Sequence, residues 1–240
     1  MKIFRNIIPG IKICHSLSQL SSYNREITKA REAGDFERER EYILKSTDQW
    51  GNHIVKIFDI DLAVTGKENL PRNGPVVFAG NHQSFADIPV ACAALNNFQL
   101  GFVARDNLAK VPFYGKWMSK IRGVFLNREN VRASLRTIDE GIALLEDGFS
   151  LMIFPEGTRS QGEHMAEFKR GSLRLATKPG VPVIPISING TYHIFEERGY
   201  IKKGVHVDLA IYPAIETKGM SKAAANNLAA EVEAIVRSGL

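Results

Sequence analysis

The chain has 240 residues, of which 44% are hydrophobic and 24% charged, a balance that excludes a disordered or fibrous chain and leaves enough length for one sizeable core. Lys and Arg number 31 against 26 Asp and Glu, a net charge of +5, which suits a phosphate, membrane-surface or acidic-protein partner without requiring one. Cys14 and Cys92 lie far apart with no His or Cys at a ligand spacing, so both are expected as free thiols in a reducing compartment.

The first residues read as a basic amphipathic helix: Ile3, Phe4, Ile7, Ile8 and Ile11 recur at helical spacing among Lys2, Arg5 and Lys12, with a bend expected at Pro9-Gly10. Ala33-Gly34-Asp35 reads as a helix stop followed by an N-cap, and Ile43, Leu44, Thr47, Trp50, Ile54, Ile57 and Phe58 continue an apolar stripe on a second helix. Residues 1–58 are therefore expected as an amphipathic two-helix hairpin, and two destinations suit it: packing on the rest of the chain, or docking on a membrane surface. No apolar run approaches the roughly 20 residues needed to span a bilayer, and no secretory signal is visible, so the chain is expected to stay in the cytoplasm.

From residue 60 the pattern alternates. Short apolar runs at 60–64, 76–79, 100–104, 124–126, 151–154, 183–188 and 205–211 read as strands, and helical patterns occupy 88–95, 114–121, 131–145, 171–178 and 221–236. This predicts an α/β domain over 59–240, with a largely parallel or mixed sheet flanked by helices. In such sheets ligands bind beyond the carboxyl ends of the strands.

Charged residues gather at those ends. His82 and Asp87, in Asn81-His82-Gln83-Ser84-Phe85-Ala86-Asp87, follow the second strand. Arg105 follows the third, Arg128 follows the fourth, and Glu156-Gly157-Thr158-Arg159 follows the fifth. An imidazole titrates near neutrality and serves as a base when a carboxylate fixes its tautomer. From the residues alone the His82/Asp87 pair also fits a hydrogen-bonded turn with a helix cap. His15, His53, His164, His193 and His206 form no ligand-spaced companion, so no metal is expected. There is no Gly-x-Ser-x-Gly elbow, which leaves Ser84 a minor candidate nucleophile. Guanidiniums at strand ends suit phosphate, to which each offers two charge-assisted hydrogen bonds.

In order along the chain, "NHQSFAD" (81–87), "GVFLNRE" (123–129), "FPEGTRS" (154–160) and "VPVIPISI" (181–188) resemble the four blocks of the bacterial 1-acyl-sn-glycerol-3-phosphate acyltransferases, within the glycerolipid acyltransferase family. The resemblance covers about 60–215, and the N-terminal hairpin also looks like the family's membrane-facing segment. Two positions depart from it: residue 105 is Arg where many relatives have Lys, and Asn127 stands where Asp is frequent.

The resemblance implies acyl transfer from an acyl carrier protein or coenzyme A thioester to the 2-hydroxyl of 1-acyl-glycerol-3-phosphate, giving phosphatidic acid. His82 would take the hydroxyl proton, Asp87 would orient His82, and no acyl-enzyme would form. Arg105, Arg128, Glu156, Gly157, Thr158 and Arg159 would make the phosphate site, and Pro185 with its block would support the acyl-chain side. It implies no cofactor and no nucleic-acid partner. It also implies a peripheral protein docked by residues 1–58 on anionic lipid at the cytoplasmic face of the cell membrane. The competing readings are a glycerol-3-phosphate or other lysolipid acyltransferase, and a lipid-binding module without catalysis.

Overall fold

The computed structural model describes residues 2–127, 130–162 and 164–240, without the side chains of residues 2–5 and 131. Three helices come first: α1 (Lys2–Ser18), α2 (Ser21–Glu32) and α3 (Phe36–Ile57). The expected stop and cap are in place. Gly34 has a left-handed backbone (φ +68°), and the Asp35 carboxylate accepts from the Arg38 N–H at 3.0 Å.

The first expected helix is divided at Gln19-Leu20 instead of being merely bent at Pro9, which stays inside α1. The serine-rich stretch explains the break: the Ser16 and Ser18 hydroxyls bond back to the carbonyls of Ile13 and His15, in competition with helix hydrogen bonds. The turn buries Leu20 completely.

The remaining elements are β1 (Asp61–Thr65), β2 (Val77–Gly80), α4 (Asp87–Ala94), β3 (Gly101–Arg105), α5 (Tyr114–Lys120), β4 (Val124–Leu126), α6 (Val131–Glu146), β5 (Leu151–Ile153), α7 (Arg174–Thr177), β6 (Val183–Asn189), β7 (His206–Ile211) and α8 (Lys222–Arg237). Only α7 is markedly shorter than its expected span. The sheet order is β1-β7-β6-β2-β5-β3-β4. Five strands, β6, β2, β5, β3 and β4, run parallel, while β7 pairs antiparallel with β6 and carries β1 with it. All four residues of β2 are buried, as expected for a central strand covered on both faces.

One face of the sheet is covered by α2 to α5. Ile27, Ile43, Trp50 and Ile54 from the N-terminal helices share a continuous apolar core with Phe78, Phe102 and Trp117. On the other face α6, α7 and α8 pack Ile142, Leu175 and Val232 against Val77 and Leu151.

A buried carboxylate fastens the N-terminal helices to this body. Glu39 receives Arg31 Nε at 2.8 Å and two bonds from Arg122, each at 2.7 Å, a forked geometry that compensates its loss of hydration. α1 is held more lightly: Asn6 Nδ2 donates to the Gly199 carbonyl at 2.8 Å, and Ile7, Ile8 and Ile11 remain exposed. Both cysteines are free, Cys14 exposed and Cys92 buried.

Candidate active site

Because five strands are parallel, the loops after β2, β3, β4, β5 and β6 leave the sheet on one rim. The β2 loop is tied to its neighbour by Asn81, which exchanges two 2.8 Å hydrogen bonds with the backbone of Ile188 in β6. The next residue, His82, points its Nδ1 at Asp87 Oδ2, 2.6 Å away.

Asp87 is fully buried and is the first residue of α4, but its carboxylate does not cap that helix. Its Oδ2 also accepts the Ser84 N–H at 2.9 Å, and its Oδ1 accepts the Thr191 hydroxyl. With each of these partners donating, Nδ1 carries a hydrogen, and in the neutral imidazole it is Nε2 that keeps the lone pair. Nε2 makes no hydrogen bond among the described residues. The ring lies flat on Phe154, centroids 4.1 Å apart and planes 14° apart, and keeps 17% of its side-chain surface open.

Glu156 braces the His82 loop from behind. It is 2% exposed, and its two oxygens accept the His82 N–H at 2.5 Å and the Ala166 N–H at 2.8 Å. Both oxygens are thereby engaged by backbone N–H groups, so Glu156 shapes the loop behind His82. Burial raises its pKa above the usual carboxylate value, with the two backbone hydrogen bonds acting in the opposite sense.

Glu156→Gln should cost about 1–3 kcal/mol, because an amide nitrogen then faces one of the two N–H groups; denaturant unfolding checks this. Since the folded state holds the Glu156 proton more tightly than the unfolded state, this group's contribution is complete below 4.5 and falls as pH rises through its folded value. The wild-type advantage over Glu156→Gln should therefore narrow as pH rises from 4.5.

Gly157 adopts φ +70°, and a β-carbon there would come within 2.8 Å of Lys169 Nζ. Glycine thus satisfies the turn and leaves room for a lysine to cross it. Thr158 is exposed. Arg159 donates to Glu196 Oε1 at 2.9 Å, and its guanidinium carbon sits 3.5 Å from the centroid of the exposed Phe85 ring. Glu196 Oε1 also accepts the Phe85 N–H at 3.1 Å, so one carboxylate joins the β2 and β5 loops. Arg105 is exposed at the rim end of β3, while Arg128 lies outside the described residues.

Ser84 is fully buried, and its hydroxyl accepts the Ala86 N–H at 3.0 Å, which removes the main appeal of a serine nucleophile. An apolar pocket of about 230 Å³, walled by Val103, Val124, Leu126, Ile138 and Ile153, opens beside Phe154 and Gly157. Pro185, expected on the acyl-chain side, is buried in β6 and does not line it.

Thr191, Glu196 and Lys169 escape a reading of the sequence. Thr191 lies two residues past the end of β6, so its strand-end position was a usable signal. Glu196 and Lys169 sit in polar loops with no spacing to single them out.

The Acyltransferase family model matches residues 61–189, just over half of the chain and all of the residues from β1 through β6. The chain belongs to the acyltransferase family. Among similar members of the acyltransferase family, the 1-acyl-sn-glycerol-3-phosphate acyltransferase of Borreliella burgdorferi is 30% identical over 171 residues, 70% of this chain and 67% of that protein. The protein of the same name from Pseudomonas aeruginosa is 31% identical over 190 residues, 78% of this chain and 71% of its own. A chloroplastic relative, from Brassica napus, is matched over 37% of its length. The crystal structure of the 1-acyl-sn-glycerophosphate acyltransferase PlsC from Thermotoga maritima superposes with a TM-score of 0.74 at 30% identity, over 100% of this chain and 96% of that one. That superposition includes the N-terminal helices as well as the acyltransferase sheet.

Proposed function

We propose that the protein transfers an acyl chain from a thioester to the 2-hydroxyl of 1-acyl-sn-glycerol-3-phosphate, producing phosphatidic acid. The observation that carries this reading is an imidazole with its Nδ1 bound to a buried carboxylate and its Nε2 open on a rim that also holds arginines. The names of the relatives support the acceptor.

In this mechanism Nε2 accepts the proton of the acceptor hydroxyl as its oxygen attacks the thioester carbonyl. Asp87 steadies the resulting imidazolium, and the proton then passes to the departing thiolate. General-base assistance of this kind contributes about 10²–10⁴-fold, and positioning of the two substrates supplies much of the rest. Arg159 and Arg105, with Arg128, hold the acceptor phosphate, Gly157 and Thr158 line its approach, and the apolar pocket beside Phe154 receives acyl chain.

The exposed Ile7, Ile8 and Ile11 of α1 meet the acyl boundary of an anionic bilayer, with Lys12 on the same helix facing head groups. No helix among the described residues is long and apolar enough to cross a membrane, in keeping with peripheral attachment at the cytoplasmic face through residues 1–58.

The test is thiol release by purified protein with coenzyme A and acyl carrier protein donors, each crossed with lysophosphatidate and glycerol-3-phosphate. Lysophosphatidate should be the acceptor consumed. Transfer to glycerol-3-phosphate alone, or vesicle binding with no thiol release, contradicts the reading. Arg159→Ala should raise the KM for lysophosphatidate about tenfold or more, as expected when a charged hydrogen bond worth ~1.5–3 kcal/mol is lost. An unchanged KM removes Arg159 from the phosphate site.

A further inference from the structure

A groove of about 1320 Å³ runs between α8 and the segment 167–177. Its walls carry Lys169, Arg170, Arg174, Lys222 and Arg237 against two carboxylates, Glu167 and Glu233. Glu233 is already occupied, accepting the Phe168 N–H at 2.7 Å and Arg237 at 2.8 Å. Lys169, Arg170, Arg174 and Lys222 are exposed and make no ion pair among the described residues. Ala230 and Ala234 line the α8 side and are exposed too, so at these two positions a partner can approach the helix closely. The volume exceeds the roughly 300–1,000 Å³ of small-molecule sites.

The groove adjoins the apolar pocket beside His82. Lys169, Arg170 and Gly171 line both it and the apolar pocket whose wall includes Phe154, the ring on which His82 stacks. Between them Lys169 crosses over Gly157, where any side chain would obstruct it. Cations without internal partners, lining an open trough that leads to an apolar pocket beside the base, match the needs of an acidic protein bearing an acyl chain on a flexible thioester arm.

We propose that this groove docks the acyl donor as a small acidic carrier protein, an acidic helix lying against the cations while the thioester arm passes Lys169 into the pocket beside Phe154. The proposal rests on the thioester-transfer reading above and adds to it a docking surface that favours one of the two expected donors. Charge complementarity of this kind sets encounter rate and orientation.

The experiment uses full-length Arg174→Glu/Lys222→Glu, both positions exposed and neither lining the pocket beside Phe154. Binding of fluorescently labelled holo acyl carrier protein, without an acyl chain, is followed by anisotropy for the wild type and the variant. Wild-type binding should weaken as salt rises, and the double reversal should weaken it at least about tenfold. Arg174→Gln/Lys222→Gln should give a smaller loss in the same direction, which separates charge from misfolding.

In turnover, the ratio of KM for the carrier-protein donor to KM for the coenzyme A donor should rise at least about tenfold in the reversed variant. Unchanged carrier binding overturns the proposal, as does an equal rise in both KM values, which would assign the groove to phosphates shared by the two donors. Because binding is read without turnover, a wild type that binds carrier but consumes neither donor overturns the reaction and leaves the dock standing.

Discussion

His82→Ala should leave a folded protein whose acyl transfer is about 10²–10⁴-fold slower, a loss of ~2.7–5.4 kcal/mol in transition-state stabilisation. The fold should survive because the interactions that hold this loop run through its backbone. The residue 82 N–H to Glu156 and the residue 82 carbonyl to Ser160 N–H (2.8 Å) do not need the imidazole. Asp87 keeps two donors, Ser84 N–H and the Thr191 hydroxyl. What disappears is the lone pair on Nε2, the proton acceptor for the attacking hydroxyl. The loss should fall on kcat more than on KM, since the base acts in the transition state and not in holding the phosphate. Unfolding curves and steady-state thiol release with lysophosphatidate check both halves, and near-normal kcat in a folded variant removes His82 from the chemistry.

Asp87→Asn should be nearly as damaging, by about 10²-fold or more, while hardly altering the geometry. An amide of the same shape can place its oxygen where Oδ2 lies, accepting from His82 Nδ1 and Ser84 N–H, and its nitrogen where it donates to the Thr191 hydroxyl, a group able to accept as well as donate. The imidazole therefore stays in place. The negative charge that steadies the imidazolium is gone, and in a fully buried position water does little to replace it. A purely structural Asp87 predicts instead that the isosteric variant keeps kcat and that Asp87→Ala loses stability. The contrast between Asn and Ala thus separates the two roles.

The sequence shows much of this arrangement because the relevant signals are local. The first charged side chains come at the end of β3 or within three residues after β2 and β5, so a parallel reading of the sheet places His82, Arg105 and Arg159 on one rim. The stop at Gly34 and the cap at Asp35 are also local and legible. The break at Gln19-Leu20 is legible only in part: the serines that compete with helix hydrogen bonds are local, but the burial of Leu20 that holds the turn depends on a core built from distant elements.

The same holds for the partners of the His82/Asp87 pair. Thr191 reaches Asp87 across 104 residues only because β6 lies beside β2, and strand order is absent from a period-two pattern. Glu156 shows the converse limit. Its motif is conspicuous, yet its role is set by two backbone N–H groups, of His82 and Ala166, that no composition reveals.

The central claim is direct transfer from thioester to acceptor hydroxyl, and single-turnover mixing tests it most directly. Enzyme preloaded with an acyl thioester should release no stoichiometric burst of thiol until lysophosphatidate is added. Thiol and phosphatidate should then form together in equal amounts. A burst equal to the enzyme concentration before the acceptor arrives, or thiol release without phosphatidate after it, would contradict the mechanism.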